Sequence, residues 1–271
     1  MLAVATQAAP QRLDDPAAEA ARIEVRSTVA CVDRFLASSE SDALVGYYSR
    51  ITPMKDLLTD LSTGPPNSQE EISAKDKLYT CIDGVSRKDT AREGVDAYVG
   101  AALIDRGLER KLGAPSVDLS RLRQFSFNDI LLGKLSEQSF RASMTAIGIP
   151  EQLEKSAIAY IALHKLKTVM ADMAHGPLVP ARRTAGEITD ADYPRDARAL
   201  KGGGDSVLTF EISASGTVER CEVLYTSGVE ALDEAACKLV TERFRYEPAR
   251  DDKGRPARQR EMQTIEWRLK S

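Results

Sequence analysis

A short alternation of apolar and polar residues in the last quarter of the chain constrains the fold more than any other feature. Between Ser206 and Ser213, the apolar residues Leu208, Phe210 and Ile212 occupy every second position. A period-two pattern with β-branched and aromatic residues is typical of a strand with one buried face. A turn follows, in which Gly216 supplies the backbone freedom. The pattern therefore predicts the first strand of a β-hairpin.

Three further elements follow this strand. Residues 218–225 return as a second strand, and apolar residues from Leu232 to Phe244 recur at the spacing of an amphipathic helix. Residues 257–270 close the segment as a third strand, with its apolar side chains on a common face. The predicted order is β-β-α-β, a three-stranded antiparallel sheet with the helix packed on one face. If the third strand pairs with the first, the three strands lie in the order second–first–third, and the closing strand forms an edge of the sheet.

Seven short motifs along this segment together resemble a known family. In chain order they are Tyr193-Pro-Arg-Asp-Ala197, Gly216-Thr-Val, Thr226-Ser-Gly228, Leu232-Asp-Glu-Ala-Ala236, Phe244-Arg-Tyr-Glu-Pro-Ala249, Gly254-Arg-Pro256 and Ile265-Glu-Trp-Arg-Leu269. They resemble the C-terminal domain of TonB proteins, over about residues 190–270. The resemblance implies a small sheet with helices on one face, a periplasmic location and the binding of an extended segment of an outer-membrane receptor. The family-motif residues are Tyr193, Pro194, Gly216, Ser227, Gly228, Leu232, Asp233, Phe244 and Pro248.

The closing strand is the candidate partner-binding site. An edge strand exposes unpaired backbone donors and acceptors, and an extended peptide can satisfy them by β-augmentation. The predicted partner-binding residues are Gln259, Glu261, Gln263, Ile265, Trp267 and Leu269. One alternative stays open at this point: the helical region of the chain, or a second copy of it, covers this edge.

The sequence before this segment predicts a helical region. Residues 16–176 carry apolar residues at helical spacing in about seven segments, with no convincing strand. Residues 1–15 indicate a disordered arm or the remnant of a removed signal peptide, because Ala3-Val-Ala5 has the small-x-small pattern of a cleavage site. Residues 177–192 are predicted to be a polar linker, and residues 193–271 the TonB-like domain. The fold class is α+β, with an all-α region followed by the small domain.

The four cysteines are predicted to form two disulfides. Cys221 lies on the second strand and Cys237 on the helix that packs against it, while Cys31 and Cys81 lie at comparable points of two helical segments. Disulfides persist outside the cytosol, so these pairs favour an exported protein. The alternative is four buried thiols in a cytosolic protein. No C-x-x-C spacing occurs, so a metal or redox site has little support.

Other features argue against several classes of function. No H-E-x-x-H, G-x-S-x-G or P-loop pattern occurs. His164 and His175 lie on or at the end of an apolar helix, which favours structural roles. Gly202-Gly-Gly204 precedes a strand instead of a helix, so it lacks the helix N-terminus of a phosphate site. A net charge of −4 does not favour nucleic acid, and no run of apolar residues is long enough for a membrane span. The sequence therefore predicts no enzyme, cofactor or metal.

Two functional hypotheses follow. The first is an exported, periplasmic TonB-like protein that binds an outer-membrane receptor segment by strand addition, as part of TonB-type transport or accessory to it. The second is a periplasmic scaffold whose helical domain binds an unknown partner and which does not transduce energy. An enzyme would need a polar cluster in the helical region that the sequence pattern does not reveal.

Overall fold

The chain folds into two compact units of different secondary structure. The computed structural model describes residues 16–51, 61, 66–82, 89–113, 117–177, 179–199 and 203–268. The first unit falls within residues 1–125 and 141–175, and the second within residues 126–140 and 176–271. The first is helical and the second contains the sheets, so the α+β fold class predicted from the sequence is confirmed.

The described residues before the sheets form helices joined by turns and loops, with no strand, as the apolar spacing predicts. Its helices are α1 (Pro16–Ala37), α2 (Val45–Ile51), α3 (Gln69–Ile82), α4 (Asp89–Leu112), α5 (Leu119–Leu122), α6 (Phe127–Leu131), α7 (Glu137–Ile147) and α8 (Glu154–Ala174). Short 3-10 helices at Ser39–Leu44 and Glu151–Leu153 precede α2 and α8. Helix α4 packs along α8, and Leu103, Leu108 and Tyr160 are fully buried in the core of the first unit.

After α8, the described residues of the second unit form a 3-10 helix at Asp190–Asp192, together with seven strands and two α-helices. They are β1 (Arg182–Ala185), α9 (Arg195–Ala199), β2 (Gly204–Ile212), β3 (Val218–Tyr225), α10 (Glu230–Arg243), β4 (Arg245–Glu247), β5 (Ala249–Arg250), β6 (Pro256–Ala257) and β7 (Gln259–Trp267). The main sheet has the order β3-β2-β7, and both of its pairings are antiparallel. The predicted second–first–third order and the edge position of the closing strand are therefore confirmed.

The alternation that predicted β2 also explains the core of this unit. Leu208, Phe210 and Ile212 are completely buried on the face of the sheet that meets α10. Helix α10 contributes Leu232 and Val240 to the same core. Burying a leucine, isoleucine or phenylalanine side chain stabilises a fold by about 1.5–3 kcal/mol. The packing of α10 on one face of the three-stranded sheet is therefore a main source of stability for the unit.

The structure differs from the predicted domain boundaries in two places. Residues 126–140, predicted to belong to the helical region, cluster with the sheets in the second unit. The predicted linker, residues 177–192, contains β1, which pairs with β4. Strand β1 has the sequence Arg-Arg-Thr-Ala and is held by backbone pairing, so it has no apolar alternation that could have predicted it.

Candidate partner-binding edge

Strand β7 forms one edge of the main sheet. It pairs with β2 in an unbroken antiparallel register, from Gly204 opposite Trp267 to Ile212 opposite Gln259. Among the described residues, no strand pairs with its other side. On β7 itself, the Gln263 side chain donates a hydrogen bond to the Thr264 carbonyl at 3.0 Å. An edge of this kind has the geometry that strand addition requires.

The residues predicted to bind a partner lie on the face of β7 that α10 covers. Glu261 lies opposite Phe210 and Gln263 opposite Leu208, and directly opposed residues of antiparallel strands share a face. Ile265 is 8% exposed and Trp267 is 3% exposed, so both side chains belong to the core. These two residues can therefore meet a partner mainly through their backbone. Leu269 lies outside the described residues.

The opposite edge of the sheet, β3, is capped by a side chain from α6. The Nδ2 group of Asn128 donates to the Val223 carbonyl at 2.8 Å, and its Oδ1 accepts from the Thr226 amide at 3.0 Å. Ser126 caps α6 by accepting from the Asp129 amide at 3.2 Å, which fixes the start of this short helix. Phe127 packs edge-on against Tyr225 with ring centroids 5.9 Å apart. A side-chain amide thus takes the place of a neighbouring strand at this point of β3.

The sequence reasoning missed Asn128. An asparagine at this place in the sequence carries no local indication of its partners. Those partners lie 95 and 98 residues away along the chain.

Asp233 explains the family motif at the start of α10. Its Oδ1 accepts hydrogen bonds from the Ser206 hydroxyl at 2.6 Å and the Ser227 amide at 2.9 Å, and its Oδ2 accepts one from the Thr226 hydroxyl. The Ser206 hydroxyl in turn accepts from the Trp267 indole at 3.0 Å. This buried network links α10 to β2, to β7 and to the loop that follows β3, so it fixes the position of the edge strand.

The two motif glycines have positive φ angles but different surroundings. Gly216 has φ +82°, and a Cβ atom there would lie 1.9 Å from the Tyr246 carbonyl oxygen. Its own carbonyl accepts from the Tyr246 amide at 2.8 Å, so the turn and β4 approach each other closely. Gly228 has φ +89°, with no atom within 4 Å of where a Cβ would be. Gly216 is therefore required both for its backbone angle and for space.

The remaining motif residues have structural positions in this unit. Tyr193 is buried and packs edge-on against Trp267 with ring centroids 5.6 Å apart. Pro194 immediately precedes α9, a position that suits a residue without a backbone N–H. Phe244 is buried under the Arg183 guanidinium, whose Cζ lies 4.7 Å from the ring centroid. Pro248 separates β4 from β5.

Both disulfides predicted from the sequence are present. Cys221 of β3 and Cys237 of α10 are joined with their Cα atoms 5.6 Å apart, and Cys31 of α1 and Cys81 of α3 with theirs 5.5 Å apart. The Cys221–Cys237 bond ties α10 to the strand that Asn128 caps. Each unit of the chain thus contains one disulfide.

The charged residues before and within β7 pair largely with acids of this chain. Arg243 forms two hydrogen bonds with Asp192, at 2.8 and 2.6 Å, and this contact lowers the pKa of Asp192 to about 2. Arg258 contacts both Glu211 and Glu219. These pairs compensate part of the charge of this segment within the chain.

The first unit contains a polar cluster between α4 and α8. The Asp105 carboxylate is buried and contacts His164 Nδ1 at 3.0 Å and Lys167 Nζ at 2.8 Å. Glu109 accepts from the Tyr160 hydroxyl at 3.1 Å and from Arg123 at 3.0 Å. One ligand atom from each of Asp105, Glu109 and His164 lies within 4.8 Å of the others, close enough together for a metal ion. Because Lys167 and Arg123 already compensate the two carboxylates, a metal ion would have to displace them.

His175, at the end of α8, has a structural role. Its Nδ1 lies 2.7 Å from the Ala171 carbonyl and its Nε2 lies 2.8 Å from the Asp33 carboxylate. Partial burial works against charging, but the hydrogen bonds to Asp33 and Ala171 outweigh it and raise the pKa of His175. A cationic ring at a helix C-terminus also suits the helix dipole, as the sequence predicts.

Comparisons with known proteins identify only the C-terminal part of the chain. Residues 189–269 match the family model of the Gram-negative bacterial TonB protein C-terminal domain. Comparison with curated proteins and with solved structures found no match. Within the described residues, no helix has the length and apolar character needed to cross a membrane. The matched family is a non-enzymatic interaction domain, which supports a protein-binding role related to TonB-type transport. Residues 189–269 of this chain are thus a domain of the TonB C-terminal family.

Proposed function

We propose that the C-terminal domain binds an extended segment of an outer-membrane receptor by adding it as a fourth strand along β7. The observation that carries this proposal is the unpaired side of β7 within the described residues. An added strand satisfies backbone donors and acceptors on that side, so its affinity depends largely on the backbone and only partly on side chains. The edge position and the family match support the same conclusion.

The contrast between the two edges supports β7 as the site. Asn128 pairs with backbone groups of Val223 and Thr226 on β3, so that edge is already occupied there. Strand β7 has no equivalent cap from a distant segment among the described residues; its nearest contact of this kind is the Ala181 amide, which donates to the Gln259 side chain at 2.7 Å. On β7 the hydrogen bond to the Thr264 carbonyl comes from the strand's own Gln263 side chain, which an incoming strand can displace without moving another segment.

A periplasmic location follows from the same reasoning. The two disulfides, Cys31–Cys81 and Cys221–Cys237, require an oxidising compartment to persist. An outer-membrane receptor presents its inner segments to that compartment, so the location and the proposed partner agree with each other.

A titration of the full chain tests the proposal. Synthetic peptides that span extended periplasmic segments of outer-membrane receptors are added while the amide resonances are followed by NMR. We expect the largest shifts, and slowed hydrogen exchange, at residues 259–268. A peptide that binds elsewhere, or no binding by any such peptide, would contradict strand addition at β7.

The variant Asn128→Ala serves as a matched control. It frees the Val223 carbonyl and the Thr226 amide while leaving β7 unchanged. If an open edge is what the peptide recognises, this variant gains shifts at residues 218–226 and keeps those at β7. Loss of the β7 shifts in this variant would show that the peptide does not recognise the edge of β7 itself.

A further inference from the structure

One carboxylate of β7, beside the proposed binding edge, has no cationic partner in the part of the chain that the structure describes. Among the described residues, no lysine, arginine or histidine nitrogen lies within 4.0 Å of Glu261, whose carboxylate accepts from the Gln259 amide at 2.9 Å. The acids near it are paired: Glu211 contacts Arg220 at 2.9 Å, and Glu266 contacts Arg268 at 3.8 Å. Glu261 therefore differs from these two acids, because it has no cationic partner among the described residues.

The surroundings of Glu261 make an unpaired charge unfavourable. The residue lies opposite the buried Phe210, on the face of the sheet that α10 covers. Burial raises the pKa of Glu261, although the hydrogen bond from Gln259 opposes this change. The Glu261 carboxylate also adds to the rise in the pKa of Tyr246 that burial causes. A partly desolvated carboxylate of this kind is stabilised by an opposite charge.

The position of Glu261 determines where that charge can come from. In an added strand, the residue directly opposite has its Cβ atom about 4.5–5.5 Å away and shares the same face. Along the strand, Glu261 is flanked on its face by Gln259, whose Oε1 accepts from the Ala181 amide at 2.7 Å, and by Gln263. Across the sheet, β2 lies on one side of Glu261, and the open edge of β7 lies on the other.

We propose that the segment that adds to β7 carries a lysine or arginine opposite Glu261. This inference rests on the proposed function and specifies the chemistry of the partner: an extended peptide with one basic residue at this register position. Its neighbours on the same face, Gln259 and Gln263, are neutral amides, so the charge preference is confined to one position of the peptide. On the opposite face, Arg268 already pairs with Asp205 at 2.6 Å.

A lysine scan in a simple host peptide tests the inference. The probes are end-blocked nonapeptides of alternating threonine and valine, with a single lysine moved through the five central positions. A parallel set carries norleucine, which keeps the aliphatic stem without the charge. Each probe is titrated into the full chain, and the dissociation constant is measured from the β7 amide resonances. Glu261→Gln removes the proposed contact, and Glu266→Gln is the control on the same strand.

We expect lysine to bind about fivefold more tightly than norleucine at the one position that lies opposite Glu261. The two adjacent positions show no preference, because successive side chains of a strand point to opposite faces. It disappears in Glu261→Gln and persists in Glu266→Gln. Equal binding of the two peptide sets, or a lysine preference that survives in Glu261→Gln, would overturn this inference and leave strand addition standing. Failure of every probe to shift the β7 resonances would overturn strand addition and this inference together.

Discussion

Replacing Asp233 with alanine should destabilise the second unit strongly. The substitution leaves three donors without their acceptor: the Ser206 hydroxyl, the Thr226 hydroxyl and the Ser227 amide. Ser206 is completely buried, so water cannot replace the lost acceptor there. Each buried donor left unsatisfied costs about 1–3 kcal/mol, and hydrogen bonds to a charged group fall at the upper end of the usual range. Because the effects are not additive, we expect a loss of about 4 kcal/mol in the free energy of unfolding.

The single tryptophan of the chain makes this effect measurable for one unit. Trp267 lies in the core of the second unit and donates to Ser206, so its fluorescence reports the unfolding of that unit in urea. The control is Glu234→Ala on the same helix, where an exposed side chain should change the unfolding free energy by less than about 0.5 kcal/mol. Asp233→Asn keeps one acceptor oxygen and should fall between the two. A change below about 1 kcal/mol in Asp233→Ala would refute the proposed role of the network.

Three further predictions concern the same unit. Asn128→Ala should lower its unfolding free energy by about 1–2 kcal/mol, since it removes two hydrogen bonds to β3, measured by the urea transition of Trp267 fluorescence. Replacing both Cys221 and Cys237 with serine should cost about 3 kcal/mol in the same assay, because the bond closes a loop between residues 16 positions apart. Burial raises the pKa of Glu261 above 4.5, so the ionised form of this side chain is disfavoured in the folded state. The free energy of unfolding of Glu261→Gln should therefore equal that of the wild type below pH 4.5 and exceed it by a growing amount as the pH rises above that value. Melting temperatures measured from pH 3 to pH 8 check the last prediction, and a difference that does not grow with pH would contradict it.

Local sequence patterns predicted the main sheet and its helix well. The second strand predicted at residues 218–225 coincides with β3, and the alternation of Leu208, Phe210 and Ile212 correctly gave the buried face of β2. The strand order followed from the short connections and the intervening helix, because chain topology leaves few alternatives. These features are encoded in neighbouring residues, which is why the sequence alone was sufficient.

The features that the sequence could not give depend on contacts between distant residues. Asn128 reaches β3 by side-chain hydrogen bonds that no periodic pattern records. Five of the six predicted partner-binding residues lie on β7, and Leu269 lies outside the described residues. Their pattern did not show that the Ile265 and Trp267 side chains are buried in the core. Burial of a residue at a strand edge depends on what packs over it, and that is settled by the tertiary fold.

The unequal edges of the sheet explain why residues 126–140 cluster with the C-terminal domain. A three-stranded sheet has two edges, and each presents backbone groups that can pair with another chain. Here the sequence supplies Asn128 to one edge and leaves the other without a strand partner in the described residues. A fragment that begins at the predicted linker would lack α6 and expose the Val223 carbonyl and the Thr226 amide. We therefore expect such a fragment to pair at both edges of the sheet, and the full chain to be protected at the Val223 carbonyl and the Thr226 amide by Asn128.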